Sequence, residues 1–287
     1  MSNQMSKAKK HPNYDIYQSD CVTGARKHLK ENSVDLIITD PPYGIAADTF
    51  DKHYNRDEST VVDGYVEVPE EDYAGFSLNW IREAHRALRP NGTMYIVSGW
   101  SRLRDIYAAL STLDSRSMEE KGHAAFEETN HVIWKYNFGV FARRKFVSSH
   151  YHILALKKVP SRGQAKGNPH TFNYIPEERK GLLQTLTSTI AKERKAKDLP
   201  LSKGAYRDME DVWYIRKEYK PGEVKNKNEL PRALVQKMLQ YSSNEGDVVA
   251  DFFLGGFSTA IEAKAAGRIP VGFEANPLAF NAFSGEV

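Results

Sequence analysis

Four consecutive residues, Asp40-Pro41-Pro42-Tyr43, are the part of this sequence best suited to do chemistry. They follow directly on Leu36-Ile-Ile-Thr39, a β-branched run that reads as a buried strand. Two prolines in series have fixed φ and no N–H, so they form a stiff extended turn. In open α/β sheets, ligands bind at the carboxyl ends of strands. A carboxylate, a backbone carbonyl and an aromatic ring would therefore surround one crevice. Such a set suits a planar amine: Asp40 and the Pro41 carbonyl accept its two N–H bonds, and Tyr43 stacks on its ring. The plainer alternative is a Pro-Pro turn, with Asp40 starting it and Tyr43 as packing.

A second group lies far along the chain, in Asp251-Phe-Phe-Leu-Gly255-Gly256-Phe-Ser258-Thr259. Strand, glycine-bearing turn and helix in that order let backbone approach a ligand and point helix N–H groups at it. Glu274 ends the next strand, where a carboxylate can accept both hydroxyls of a ribose. Taken alone, this pattern indicates a nucleoside-containing cofactor or a plain strand-to-helix connection.

The elements that position both groups are legible as short apolar runs separated by turn residues. Strands are expected at 14–17, 34–39, 93–98, 131–136, 152–156, 247–253 and 269–274. Helices are expected around Trp80–Leu88, stopped by Pro90-Asn91-Gly92, and around Leu103–Leu113. Two more follow from Pro231, which suits a first-turn position, and from Ser258 to Ala266. Strands alternating with helices argue a mainly parallel sheet covered on both faces.

Residues 159–210 break that rhythm, with a Gly/Pro loop followed by a basic helical stretch. The chain as a whole carries 40 basic and 37 acidic residues, so the distribution of charge says more than the sum. Between Lys157 and Arg207 basic residues dominate, which suits a polyanion-binding surface or a solvated helix face. Residues 48–72 are acidic instead and could close over a ligand held at Tyr43. No apolar run is long enough for a membrane span, and the basic start lacks a signal peptide's apolar stretch. The single cysteine, Cys21, excludes an internal disulfide or a cysteine-built zinc site, and it reads as buried structure. The nine histidines show no metal-ligand spacing, so no metal is expected. His150 and His152 alternate along one strand, as core or pocket-facing residues. Trp134 and Trp213 read as core near the active edge. A soluble protein of a reducing compartment, the cytoplasm, is expected.

Together, and in this order, the two motifs resemble the amino-methyltransferases of DNA, S-adenosylmethionine-dependent enzymes acting on adenine N6 or cytosine N4. Catalytic motif first, basic insertion next and cofactor motif last is the permuted arrangement of that family's β group. Val34-Asp-Leu-Ile-Ile-Thr-Asp-Pro-Pro-Tyr-Gly44 matches its catalytic region, and Ser19-Asp20-Cys21 sits where the family binds the cofactor's adenine amino group. Trp80 to Ser98 matches its helix–strand unit, while Val132–Lys135 and His150–Leu154 are similar to its later strands. Asp211-Val-Trp213 resembles the stretch that re-enters the catalytic domain.

The resemblance implies a Rossmann-like fold with a seven-stranded mixed sheet. Residues 12–158 would form the catalytic half, 159–210 a target-recognition insertion and 211–287 the cofactor-binding half. Asp40, Pro41, Pro42 and Tyr43 would be catalytic. Asp20, Cys21, Asp40, Asp251, Phe252, Phe253, Gly255, Gly256, Phe257, Ser258, Glu274 and Ala275 would bind S-adenosylmethionine.

The sequence departs from the family pattern in two places. Phe252 replaces a proline and Phe257 the second glycine of the cofactor motif, so Phe257 has to adopt that turn's geometry at the cofactor pocket. Leu230 stands where the family has a lysine, leaving Lys225, Lys227 or Asn228 to meet the cofactor carboxylate.

The resemblance further implies methylation of adenine N6 in double-stranded DNA with the target base flipped out, since Asp leads the tetrapeptide. Association with the nucleoid, homodimerisation and a cognate restriction endonuclease would accompany that role. Cytosine N4 is the first alternative. An RNA or protein-glutamine methyltransferase, or a DNA-binding protein without catalysis, are the others.

Overall fold

The computed structural model describes residues 15–42, 68–137, 139, 143–144, 146–161, 163–165, 167–173, 209–218 and 229–287. Tyr43, most of the acidic stretch 48–72, residues Lys225, Lys227 and Asn228, and the basic run from 174 to 208 lie outside the described residues.

Among the described residues, eight strands form one sheet in the order β1-β8-β7-β2-β3-β5-β4-β6. They are β1 (Ile16–Gln18), β2 (Val34–Thr39), β3 (Leu88–Ser98), β4 (Phe126–Lys135), β5 (His150–Lys158), β6 (Val212–Tyr214), β7 (Val248–Asp251) and β8 (Ile269–Glu274). Only β5 runs against its neighbours; the other pairings are parallel. The count is one above the expected seven. The addition is β6, three residues that pair with the outer side of β4, so an edge strand supplies it. The segment Asp211–Trp213 thus joins the main sheet at the outer side of β4.

Helices α1 (Cys21–His28), α2 (Tyr73–Ala87) and α3 (Leu103–Lys121) pack on one face of the sheet. On the other lies α4 (Arg232–Ser242), with α5 (Ser258–Ala265) and α6 (Pro277–Phe283) beside β8. Tyr73, Trp80, Ile81, Ala84 and Ala87 are all buried, the stripe that 3.6-residue spacing requires of α2. Leu234, Val235, Met238 and Leu239 do the same for α4. Every residue of β2 is buried, as a central parallel strand covered on both faces must be.

Several boundaries differ from expectation, and three bear on the site or its supports. Pro231 is the N-cap of α4 rather than its first helical residue; its ψ of 140° is non-helical, while its carbonyl accepts from Leu234 N. β7 stops at Asp251, since Phe252 and Phe253 turn away to pack against Trp80. β3 begins at Leu88, directly after α2, and passes through Pro90. Residues 168–173, expected within the insertion, instead lie against the main fold: Arg89 bonds Pro169 O and Thr171, and Asn173 caps the end of α4 through Gln240 O and Ser243 O. Among the described residues no helix is long and apolar enough to cross a membrane, and no group of three potential ligands could hold a metal ion.

Candidate active site

The direction of connection reverses between β2 and β7. From β2 the chain winds outward to β3, and from β7 it winds the other way to β8. A crevice opens outside the carboxyl ends of strands at such a switch point. Side chains fasten the two strands there at both ends. At the amino end, Asp35 pairs with Arg89 at 2.7 Å and accepts from Val248 N at 2.9 Å. At the carboxyl end, Thr39 Oγ1 donates to Asp251 Oδ1 at 3.1 Å. The strand that carries the Pro-Pro turn is thereby fixed to the one that starts the glycine turn.

One cleft occupies that crevice. Its lining includes Asp20, Cys21, Asp40, Pro41, Pro42, Asp251, Phe252, Phe253, Gly255, Gly256, Ser258, Glu274 and Ala275. These come from the ends of five different elements, although positions 40 and 251 are far apart in sequence. Two residues proposed for the site are not among them. Tyr43 lies outside the described residues. Phe257 is fully buried elsewhere, with its ring against Phe280 and Phe283 at centroid distances of 6.0 and 6.1 Å. Its backbone is left-handed, φ 62°, the geometry a glycine would adopt without strain. The aromatic side chain is retained there because α6 covers it.

Each half of the cleft is held differently. Asp251 is buried and accepts from Thr39, Thr259 and its own loop at Phe253 N. Burial pushes its carboxyl up to about 6, and the Glu274 charge adds to the rise. Glu274 accepts Gly255 N through Oε2 at 2.8 Å and Asn276 N through Oε1 at 2.7 Å. Burial raises Glu274 as well, against those hydrogen bonds. A Cβ on Gly256 would collide with the Glu229 side chain, so only glycine lets that carboxylate close on the turn. Asp20 caps α1 by accepting Thr23 N at 2.9 Å, which sets the far wall. Burial, with the Asp20 charge beside it, drives the Cys21 thiol far upward, so it stays protonated and is no nucleophile.

The wall formed by the Asp40–Pro42 turn depends on a contact that the sequence does not announce. Tyr73 OH, at the start of α2, donates to Pro42 O at 2.7 Å. Its ring is fully buried beneath the Arg102 guanidinium, 5.0 Å from the ring centre. Burial and the nearby Asp40 charge both raise the Tyr73 hydroxyl, so it stays a donor. Arg102 is in turn held by Asp105 at 3.4 Å and Glu70 at 3.5 Å. Val68 and Phe76 complete the apolar wall, and nothing in their local pattern marks them as lining residues.

The charge of the cleft is one-sided. Asp20, Asp40, Glu229, Asp251 and Glu274 line it, and no lysine, arginine or histidine does so among the described residues. That lining suits a cationic ligand and disfavours a pyrophosphate.

A family model described as DNA methylase matches residues 34–283. The type II methyltransferase M.HpaI of Haemophilus parainfluenzae is 30% identical over 252 residues, covering 88% of this chain and 67% of that protein. The DNA adenine methyltransferase YhdJ of Escherichia coli K12 is 29% identical over 255 residues, covering 87% and 74%. Among solved structures, the complex of M1.HpyAVI with SAM superposes with a TM-score of 0.56 at 20% identity, covering 95% of this chain and 98% of that one. At that identity the likeness concerns the fold.

Proposed function

This chain belongs to the DNA methylase family, and from that premise we propose that it transfers the methyl group of S-adenosylmethionine to adenine N6 in DNA. The observation that carries the reading is the shared cleft. The turn Asp40–Pro42 and the cofactor-type turn Asp251–Gly256 open on one crevice at the sheet's switch point. The relatives named as a type II and a DNA adenine methyltransferase support DNA as substrate and adenine as base.

The residues present fit the cofactor. Five carboxylates and no cation line the cleft, which suits a ligand bearing a sulfonium and an ammonium group. Asp20 and Glu274 would receive its adenosine, with Gly255 and Gly256 giving backbone access and Phe252 and Phe253 the apolar wall. When bound, the cofactor supplies an electrophilic methyl group. The missing family lysine leaves no described cation for the carboxylate, which is consistent with Leu230 being buried in the lining.

The chain's own residues act on the amine. An exocyclic base nitrogen is a poor nucleophile because its lone pair is delocalised into the ring. Asp40 and the Pro41 carbonyl accept its two N–H bonds and favour sp³ character, a stabilisation that grows toward the transition state. Holding nitrogen and methyl in contact supplies much of the remaining acceleration. Within a duplex this atom is hidden, so the base is flipped out, and Tyr43 supplies the stacking surface. The basic run before Arg207 tracks phosphates.

The test is incubation with labelled S-adenosylmethionine and unmethylated chromosomal DNA, followed by digestion and nucleoside mass spectrometry. Label in N6-methyladenine is the expected result. Label in N4-methylcytosine would move the activity to the other base, and absence of label in DNA would overturn the reading.

A further inference from the structure

The connection between β4 and β5 projects from the same sheet edge as the cleft. β4 ends at Lys135, which pairs with His150 at the start of β5, and Tyr136 N donates to Ser149 O at 3.1 Å. The two arms stay close beyond that point: a Cβ on Gly139 would collide with Val147 and with the Ser148 carbonyl. Next to Val147, Phe146 is 100% exposed, more than any other large apolar side chain among the described residues. Val147 beside it is 40% exposed, and Arg143 and Arg144 are exposed.

A single apolar side chain on a surface needs no explanation by itself. The position of this one does. β5 and β4 lie two and three strands from β2 in the sheet. At the usual strand spacing the hairpin therefore rises roughly 10–15 Å along the edge from Asp40. The major groove of B-DNA is about 12 Å wide, so a duplex presenting a base to Asp40 brings its stack over this hairpin. Beyond the paired arms the connection carries an aromatic ring for the stack and two guanidinium groups for phosphates.

We propose that Phe146 is a wedge that enters the DNA base stack at the place the target base leaves, with Arg143 and Arg144 on the flanking phosphates. Extruding a base exposes the faces of its neighbours and costs unstacking energy. An inserted apolar side chain covers those faces, and a flat ring does so without regard to sequence. The wedge therefore acts on the flipping step and touches neither cofactor nor amine. This inference rests on the DNA methyltransferase reading above.

The methylated sequence is first mapped on heterologous chromosomal DNA. Two oligonucleotide duplexes carrying it are then compared, one with the target base paired and one with it facing an abasic site. Phe146→Ala should lower the single-turnover rate on the paired duplex by ~10–100-fold, the range that loss of one aromatic–base stack gives. On the abasic duplex, where the base is already loosened, the loss should be under ~3-fold, and Phe146→Trp should retain the rate on both. Converting Arg143 and Arg144 together to alanine should flatten the salt dependence of DNA binding by about two units. Equal loss on both duplexes, or no loss on either, overturns the wedge while leaving the methyltransferase reading intact. Failure of the wild-type protein to methylate any DNA overturns that reading and the wedge with it.

Discussion

The two halves of the cleft, the proposed cofactor side and the proposed catalytic side, share the Thr39–Asp251 bond but are otherwise held over different distances in sequence. On the cofactor side, Asp251 accepts from Phe253 N two residues away, and Glu274 ties Gly255 to Asn276. These are carboxylate-to-backbone bonds within one βαβ unit, and they are strong for their size because one partner is charged. On the catalytic side, the Pro-Pro turn donates no N–H of its own, and a hydroxyl 31 residues away, that of Tyr73, holds its last carbonyl. One half is thus built into the fold's local hydrogen bonding, whereas the other is a rigid turn steadied from outside. Damage on the cofactor side should appear in stability and cofactor affinity. Damage on the catalytic side should appear in turnover.

Asp40→Ala gives the largest expected effect. Loss of an acceptor that acts in the transition state should lower the methylation rate by at least ~10²-fold, with cofactor affinity and melting temperature little changed. Turnover near wild type would remove Asp40 from the reaction. Phe257→Gly tests the opposite side. Loss of a buried ring costs about 3–5 kcal/mol, and relief of a left-handed non-glycine residue returns about 1–2. Chemical denaturation should show a net loss of about 1–4 kcal/mol. A stabilised variant would mean that strain outweighs packing at this turn.

Glu274→Ala should weaken cofactor binding by ~10-fold through loss of charge-assisted bonds to the Gly255 turn, with a smaller change in rate at saturating cofactor. Calorimetry showing unchanged affinity would place the ribose contact elsewhere. Tyr73→Phe keeps the buried ring and deletes only the bond to Pro42 O. A neutral hydrogen bond of this kind is worth about 0.5–1.5 kcal/mol, so kcat should fall ~3–10-fold with cofactor affinity unchanged. A fall in affinity instead of kcat would contradict the division between the halves.

The difference also explains what could be read from the sequence. β2 and β8 match their expected bounds because β-branched runs between turn residues encode a buried strand locally. The residues of both motifs meet because a parallel sheet can bring strand ends to one edge in few ways. Helix α1 escaped notice: it has eight residues, contains Gly24 and carries little apolar pattern, so packing against β8 forms it rather than propensity. In the sequence its N-cap, Asp20, is legible only as a ligand residue, yet its carboxylate also starts the helix. β6 escaped for a similar reason, since Val212 and Tyr214 are exposed and only the ladder to β4 orders them. Tyr73 and Glu274 show the limit most clearly. The first is recognisable as a core position of α2 and the second as a strand-end acid, but their partners depend on tertiary contact.

The smallest effect, and the finest test of the comparison, is the pH dependence of stability below pH 7. Partly buried histidines and the buried aspartate act there with opposite sign. Burial, aided by the Lys158 charge, lowers His85 to about 3, and burial together with His131 and His150 lowers His152 to about 4. A histidine depressed from its ordinary 6.5 contributes stability above that value and loses it as pH falls toward the folded pKa. Both residues lie away from the cleft, so this loss belongs to the body of the fold. Asp251 is raised from an ordinary 3.8 to about 6. Its contribution is fully present below 3.8, is lost as pH rises through 6, and therefore grows on acidification across the window in which the histidines fail. The wild-type curve between pH 6.5 and 4 should consequently be shallower than the histidines alone would make it. Asp251→Asn removes the compensating proton uptake, so its stability should fall more steeply with acid than that of the wild type over the same range. Denaturation series at several pH values measure both slopes directly. Parallel curves would mean that Asp251 is already ionised at pH 6, and the carboxylates of the cofactor half would then be stabilised by their backbone donors more than burial opposes them.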